Sequence, residues 1–237
     1  MVETLKQDLI WRHYQGNGAK IFDDAVPRLR YLTRQADKTT PSGALNALNI
    51  GIGNGWLERH CAGFGWNVYA LDPDSMAARA VSAADIRATA GIIEQLPFTG
   101  DCFDVVFCSE VIEHLTDNQL DRALREIARV LKAGGLLIGT VPYREDLREN
   151  QVICPHCGEF FHRWGHQQTF DTAAVRRILE SAGFTVGRLY VCAFRDYATP
   201  SIAKLLKFLI RWPLARARST LVYSNIVFTA RKPAARP

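Results

Sequence analysis

The stretch Leu48-Asn49-Ile50-Gly51-Ile52-Gly53-Asn54-Gly55-Trp56 decides the fold. The apolar run 44–52 predicts a strand, and 56–64 predicts a helix. Between them, glycines at 51, 53 and 55 let the backbone turn tightly and approach a ligand where a Cβ would clash. The spacing is G-x-G-x-G, not the G-x-G-x-x-G of dinucleotide folds. The next predicted strand, 67–71, runs into Asp72-Pro73-Asp74. An acid at the end of a second strand can accept both hydroxyls of a ribose.

Outward from this core, strands and helices alternate. Helical patterns fall at 75–84, 118–131 and 172–182; strands fall at 90–93, 103–108, 136–141, 184–194 and 223–230. In 118–131, Leu120, Leu124, Ile127 and Leu131 share one face. Gly134-Gly135 is read as the stop of that helix. Alternation of this kind predicts an α/β, mostly parallel sheet covered on both faces. Residues 3–36 read as two helical stretches interrupted at 15–18, and 37–43 reads as a linker.

The chain has 237 residues, 48% hydrophobic and 22% charged. That is ordinary globular composition and excludes global disorder. No apolar run approaches the ~20 residues that span a bilayer. The opening MVETLKQDLIWRHYQ lacks an apolar stretch of signal-peptide length, so a cytoplasmic protein is expected. Six scattered cysteines are not a disulfide framework in that setting. Charge is uneven: residues 200–237 hold eight of the 29 Lys and Arg and none of the 24 acids. The basic balance belongs to the tail, where it suits an anionic partner or a solvated edge.

The segments LNIGIGNGWLERHC, VYALDPD, AGIIEQLPFTGDCFDVVFCSEVIEHL and REIARVLKAGGLLIGTVP resemble class I S-adenosylmethionine-dependent methyltransferases over roughly residues 45–142. The resemblance implies a doubly wound, seven-stranded, mostly parallel Rossmann-like sheet with an antiparallel last strand. With the helical reading of 3–36 and the linker at 37–43, an N-terminal helical cap at 1–43 on a methyltransferase domain at 44–237 is expected. The cofactor S-adenosylmethionine would lie against Asn49, Gly51, Gly53 and Gly55, with Asp72 on its ribose. Cys108 and Ser109 would line the cleft. Where many relatives read Gly-Asp-Ala-Glu, this chain reads Gly91-Ile92-Ile93-Glu94, so Ile92 and Ile93 offer adenine only backbone and apolar contact. Asn49 replaces a common acid.

Methylating an alcohol requires a base or a metal ion, because a protonated hydroxyl is a poor nucleophile. Glu110, Glu113 and His114 would share a face of one helical turn, at i, i+3 and i+4. Two carboxylates and an imidazole suit Mg²⁺, Mn²⁺, Fe²⁺ or Zn²⁺. The arrangement is similar to ubiquinone-pathway O-methyltransferases and small-RNA 3′-terminal 2′-O-methyltransferases, which have E-x-x-E-H and a later His before a Phe. That resemblance implies metal ligands at Glu110, Glu113, His114 and His166, with Glu110, His114 and His166 serving catalysis. The same motif also occurs without metal, with its His packed on the sheet or touching substrate.

The loop 151–170 contains Cys154-Pro155-His156-Cys157-Gly158 and then His162 and His166. A Cys-x-x-Cys-Gly turn points two thiolates at one ion. The reading divides the histidines: Cys154, Cys157 and His162 for a structural zinc, His166 facing the cleft. A four-ligand set that includes His166, a ligand role for His156, and a plain loop with two thiols remain alternatives. Beyond it, PSIAKLLKFLIRWPLARAR at 200–218 has Lys204, Lys207 and Arg211 on one face. Ile202, Leu205, Leu206, Leu209 and Trp212 are on the other. A cationic amphipathic helix with Trp fits the inner membrane surface, and its apolar face equally fits packing on the sheet or a dimer. Nucleic acid is disfavoured, since interleaved stacking aromatics are missing.

The reading as a whole is O-methylation of a small-molecule or lipid-linked acceptor, with Tyr143 near the substrate. The rivals are an RNA 2′-O-methyltransferase and a non-catalytic cofactor-binding protein.

Overall fold

The computed structural model describes residues 9–10, 13–14, 19–82, 86–194, 206, 209–210, 212–214, 217 and 224–234. Most of the amphipathic segment 200–218, and most of the first helical stretch, lie outside these residues.

Among them run nine strands: β1 Asn46–Ile50, β2 Asn67–Asp72, β3 Arg87–Ala90, β4 Phe103–Ser109, β5 Leu131–Pro142, β6 Gln151–Ile153, β7 Phe160–His162, β8 Thr185–Cys192 and β9 Asn225–Arg231. Seven form one sheet in the order β3-β2-β1-β4-β5-β9-β8, and β6 with β7 makes a separate hairpin. Strands β1 to β5 pair in parallel; β9 runs antiparallel to both β5 and β8. The Rossmann-like methyltransferase sheet and its antiparallel last strand are therefore as expected. Strand order reverses between β1 and β4, which opens a crevice at their carboxyl ends.

Among the described residues, the sheet is covered by α1 Val26–Thr39, α2 Trp56–Ala62, α3 Ser75–Ser82, α4 Asp117–Val130 and α5 Thr172–Ser181. On one face Leu32 and Ala36 of α1, Leu57 of α2 and Val81 of α3 pack with Ala47, Val105 and Ile138. On the other, Leu120, Leu124 and Ile127 of α4 join Val175 and Leu179 of α5. Helix α4 starts where Thr116 and Gln119 form a reciprocal capping box. In the middle of β5, a Cβ on Gly139 would sit 1.8 Å from the Cys108 carbonyl oxygen. Only glycine lets β5 lie that close to β4.

Several elements differ from the sequence reading. Strand β3 spans Arg87–Ala90 and meets the expected segment 90–93 only at Ala90. Helix α1 continues to Thr39, into the stretch read as linker. Helix α4 ends at Val130 rather than at the glycines, because Leu131 already pairs with Phe103 in the sheet. The Cys/His loop contains the hairpin β6–β7.

Candidate functional site

The glycine turn closes the carboxyl end of β1. Gly51, Gly53 and Gly55 all have positive φ, at 84°, 60° and 71°. The Asp72 carboxylate ties this turn to β2: Oδ2 accepts from the Ile52 amide at 2.8 Å and Oδ1 from the Asp74 amide at 2.9 Å. Burial raises the Asp72 pKa, against the pull of those two amides. Asn49 spans the turn from below, donating from Nδ2 to the Gly51 carbonyl at 3.0 Å and to Glu58 Oε1 at 2.7 Å. Glu58 is fully buried, and burial raises its pKa to about 7.

Beside Asp72, Ile92 is exposed whereas Ile93 points into the core. Cys108, expected at the cleft, is also buried in the core, because alternation along β4 turns its side chain under the sheet. Ser109 does reach the strand's end. Its Oγ accepts from Arg28 Nε at 3.0 Å and shares a 2.7 Å hydrogen bond with Thr140 Oγ1. Tyr143 is largely buried in the core and bridges to Phe170.

The E-x-x-E-H segment is not one helical face. Only Ile112–His114 forms a 3₁₀ turn, and Glu110 has a φ of 56°. That left-handed residue sends its side chain elsewhere: Oε1 accepts from Asn225 Nδ2 at 3.0 Å, and Oε2 lies 4.0 Å from Arg28 Nη1. Glu110 thus stands outside the expected ligand set. Glu113 and His114 instead meet His166, with ligand atoms within 4.8 Å of one another. Backbone hydrogen bonds bring the two segments together, since the Gln167 and Gln168 amides both donate to the Glu113 carbonyl, at 2.8 and 3.1 Å.

Glu113 is 0% exposed, and neither carboxylate oxygen finds a hydrogen-bond partner in another residue. Burial, and then the charge of Glu110, hold its pKa well above the usual carboxylate range. Burial pushes His114 down to about 3, with His166 adding to the effect, so this imidazole is neutral.

A second group shares His166. Glu145 Oε2 lies 2.5 Å from His166 Nδ1, and His162 stacks on the His166 ring at 4.6 Å. Burial opposes charge on Glu145, yet the hydrogen bond with His166 and the nearby imidazoles bring its pKa below normal. The expected set Cys154, Cys157 and His162 is not assembled. In the hairpin register His162 faces Gln151 at the base, where it is buried. The cysteines sit at the tip, with Cys157 exposed. Tip amides of Cys157 and His156 lower the Cys154 pKa. Among the described residues, no group of three or more metal-ligand side chains includes a cysteine.

Several residues of this site escaped the sequence reading. Arg28 comes from α1, far from any motif. Glu145 was within reach, because it lies three residues past the carboxyl end of β5, where α/β folds collect functional groups. From the amino-terminal side, Tyr14 stacks on Trp164 at 4.8 Å and donates to the Arg163 carbonyl, placing it over the 162–166 loop.

Comparison with known proteins agrees with this geometry. Residues 48–139 match the family model described as a methyltransferase domain. A ubiquinone biosynthesis O-methyltransferase of Methylobacterium nodulans is 28% identical over 169 residues, 66% of each chain. A malonyl-[acyl-carrier protein] O-methyltransferase of Erwinia pyrifoliae is 30% identical over 158 residues, 65% of this chain and 59% of that protein. The chain thus spans about two thirds or less of these relatives. In fold, it is similar to the Burkholderia thailandensis 1,6-didemethyltoxoflavin-N1-methyltransferase, solved with S-adenosylhomocysteine. The TM-score there is 0.66 at 17% identity, covering 97% of this chain and 87% of that one. Residues 48–139 thus form a methyltransferase domain, and its glycine turn, strand-end acid and sheet order are those that the resemblance to class I S-adenosylmethionine-dependent methyltransferases implies.

Proposed function

We propose that the protein transfers a methyl group from S-adenosylmethionine to an oxygen of a small-molecule or lipid-linked acceptor. The observation that carries the choice of oxygen is the buried Glu113 carboxylate, unpartnered beside two imidazoles near the cofactor crevice. The O-methyltransferase names of the two relatives support it.

The crevice fits the cofactor. Its turn is built from positive-φ glycines, and each Asp72 oxygen accepts one amide and keeps a lone pair for a ribose hydroxyl. When bound, the cofactor supplies an electrophilic methyl group. Asp72 orients the ribose, while Arg28 and Ser109 fix the floor at the end of β4. The donor set of Glu113, His114 and His166 fits a divalent ion, which would lower the pKa of an acceptor hydroxyl. Glu110, outside that set, is the carboxylate that takes the hydroxyl proton. Tyr14 stacks on Trp164 beside the 162–166 loop. A lipid-linked acceptor is supported by Val152, Ile153, Phe160 and Phe161, all exposed on the β6–β7 hairpin.

The test is transfer of labelled methyl from S-adenosylmethionine into cell extract. Label is expected in the organic phase, lost on chelation and restored by a divalent ion. Label in RNA supports the rival acceptor, and label in neither fraction contradicts the proposal.

A further inference from the structure

We propose that Glu145 is a positioning residue that orients His166 as ligand of a divalent cation shared with Glu113 and His114. The inference rests on the ion reading above and adds a residue to it. Two overlapping groups, Glu113–His114–His166 and Glu145–His162–His166, are each compact enough to hold an ion. Hydrogen bonds separate their roles.

The second group is already committed. Glu145 Oε2 is engaged by His166 Nδ1 at 2.5 Å, and Oε1 accepts from Asn150 Nδ2 at 3.0 Å. His162 Nδ1 accepts from the His166 amide at 3.1 Å. A neutral imidazole that accepts at Nδ1 carries its proton on Nε2, so His162 keeps no lone pair for a metal. Its ring instead backs His166, stacked with 22° between the planes. Glu113 is the opposite case, buried with both oxygens unpartnered by other residues.

His166 joins the groups. With its Nδ1–H donated to Glu145, its lone pair resides on Nε2, the nitrogen left for an ion. A carboxylate on the far nitrogen of a ligating histidine fixes tautomer and ring orientation and raises ligand basicity. Loss of such a partner costs about 10- to 100-fold in metal affinity.

The experiment titrates Co²⁺ into the full chain carrying C154S and C157S, which removes the tip thiols, and follows visible absorption. One Co²⁺ per chain is expected. E145Q weakens binding roughly 10- to 100-fold, E145D recovers most of the loss, and the exposed-residue control E149Q binds like the parent. N150A, which leaves the carboxylate but removes its second tether, shows a smaller loss in the same direction and reports if E145Q fails to fold. Parent-like Co²⁺ affinity in folded E145Q, or in N150A should E145Q not fold, overturns the inference. Absence of Co²⁺ binding by the parent overturns the ion reading and the inference with it. Binding of S-adenosylhomocysteine by the same parent reports separately on the methyltransferase reading.

Discussion

Asn49 donates to the buried Glu58 carboxylate at 2.7 Å, directly beneath the glycine turn. An amide therefore occupies the strand position, and the acid sits on the following helix. The other oxygen of Glu58 is buried with no partner, which suits the protonated form.

This arrangement predicts a pH dependence. Glu58 titrates near its ordinary 4.5 in the unfolded chain and about 7 in the folded one. Between those values the folded state holds a proton that the unfolded state has released. The stability from this group is complete below pH ~4.5 and is lost as pH rises through about 7. E58Q, which mimics the protonated acid, should flatten that slope and stabilise the protein at pH 8 by on the order of 3 kcal/mol. Urea unfolding of both proteins at pH 5 and 8 checks this; equal slopes would contradict it.

Gly139 supplies a packing prediction. Its Cβ would overlap the Cys108 carbonyl at 1.8 Å and the Phe228 ring at 2.6 Å. Both neighbours are held in the sheet, so neither can yield. G139A should cost about 3 kcal/mol or more and lower Tm by roughly 10 °C. A thermal melt within a few degrees of the parent would show that β5 can move away from β4.

The hairpin predicts a membrane effect. Ile153 and Phe160 pair across β6–β7, and both are more than half exposed. I153S/F160S should reduce flotation with anionic vesicles while leaving the melting curve unchanged. Undiminished flotation would move the lipid contact elsewhere.

Much of the sheet was legible because its signals are local. Glycines, a strand-end acid and apolar periodicity each act within a few residues. The glycine turn and its tie to Asp72 were legible for the same reason, whereas the side that Cys108 faces is decided by the alternation of β4. Glu110 misled because a helical-face argument assumes a helix, and its φ of 56° breaks one. His162 misled because spacing to Cys157 carries no information about hairpin register. Arg28 and Asn225 reach the site only through tertiary folding, from α1 and β9.

The central claim is that the crevice between β1 and β4 binds a sulfonium nucleoside through Asp72. Calorimetric titration with S-adenosylhomocysteine tests it most directly. One saturable site per chain is predicted, weakened more than about tenfold in D72N by the loss of a charge-assisted pair of ribose hydrogen bonds. No heat with the parent protein, or equal affinity in D72N, would contradict it.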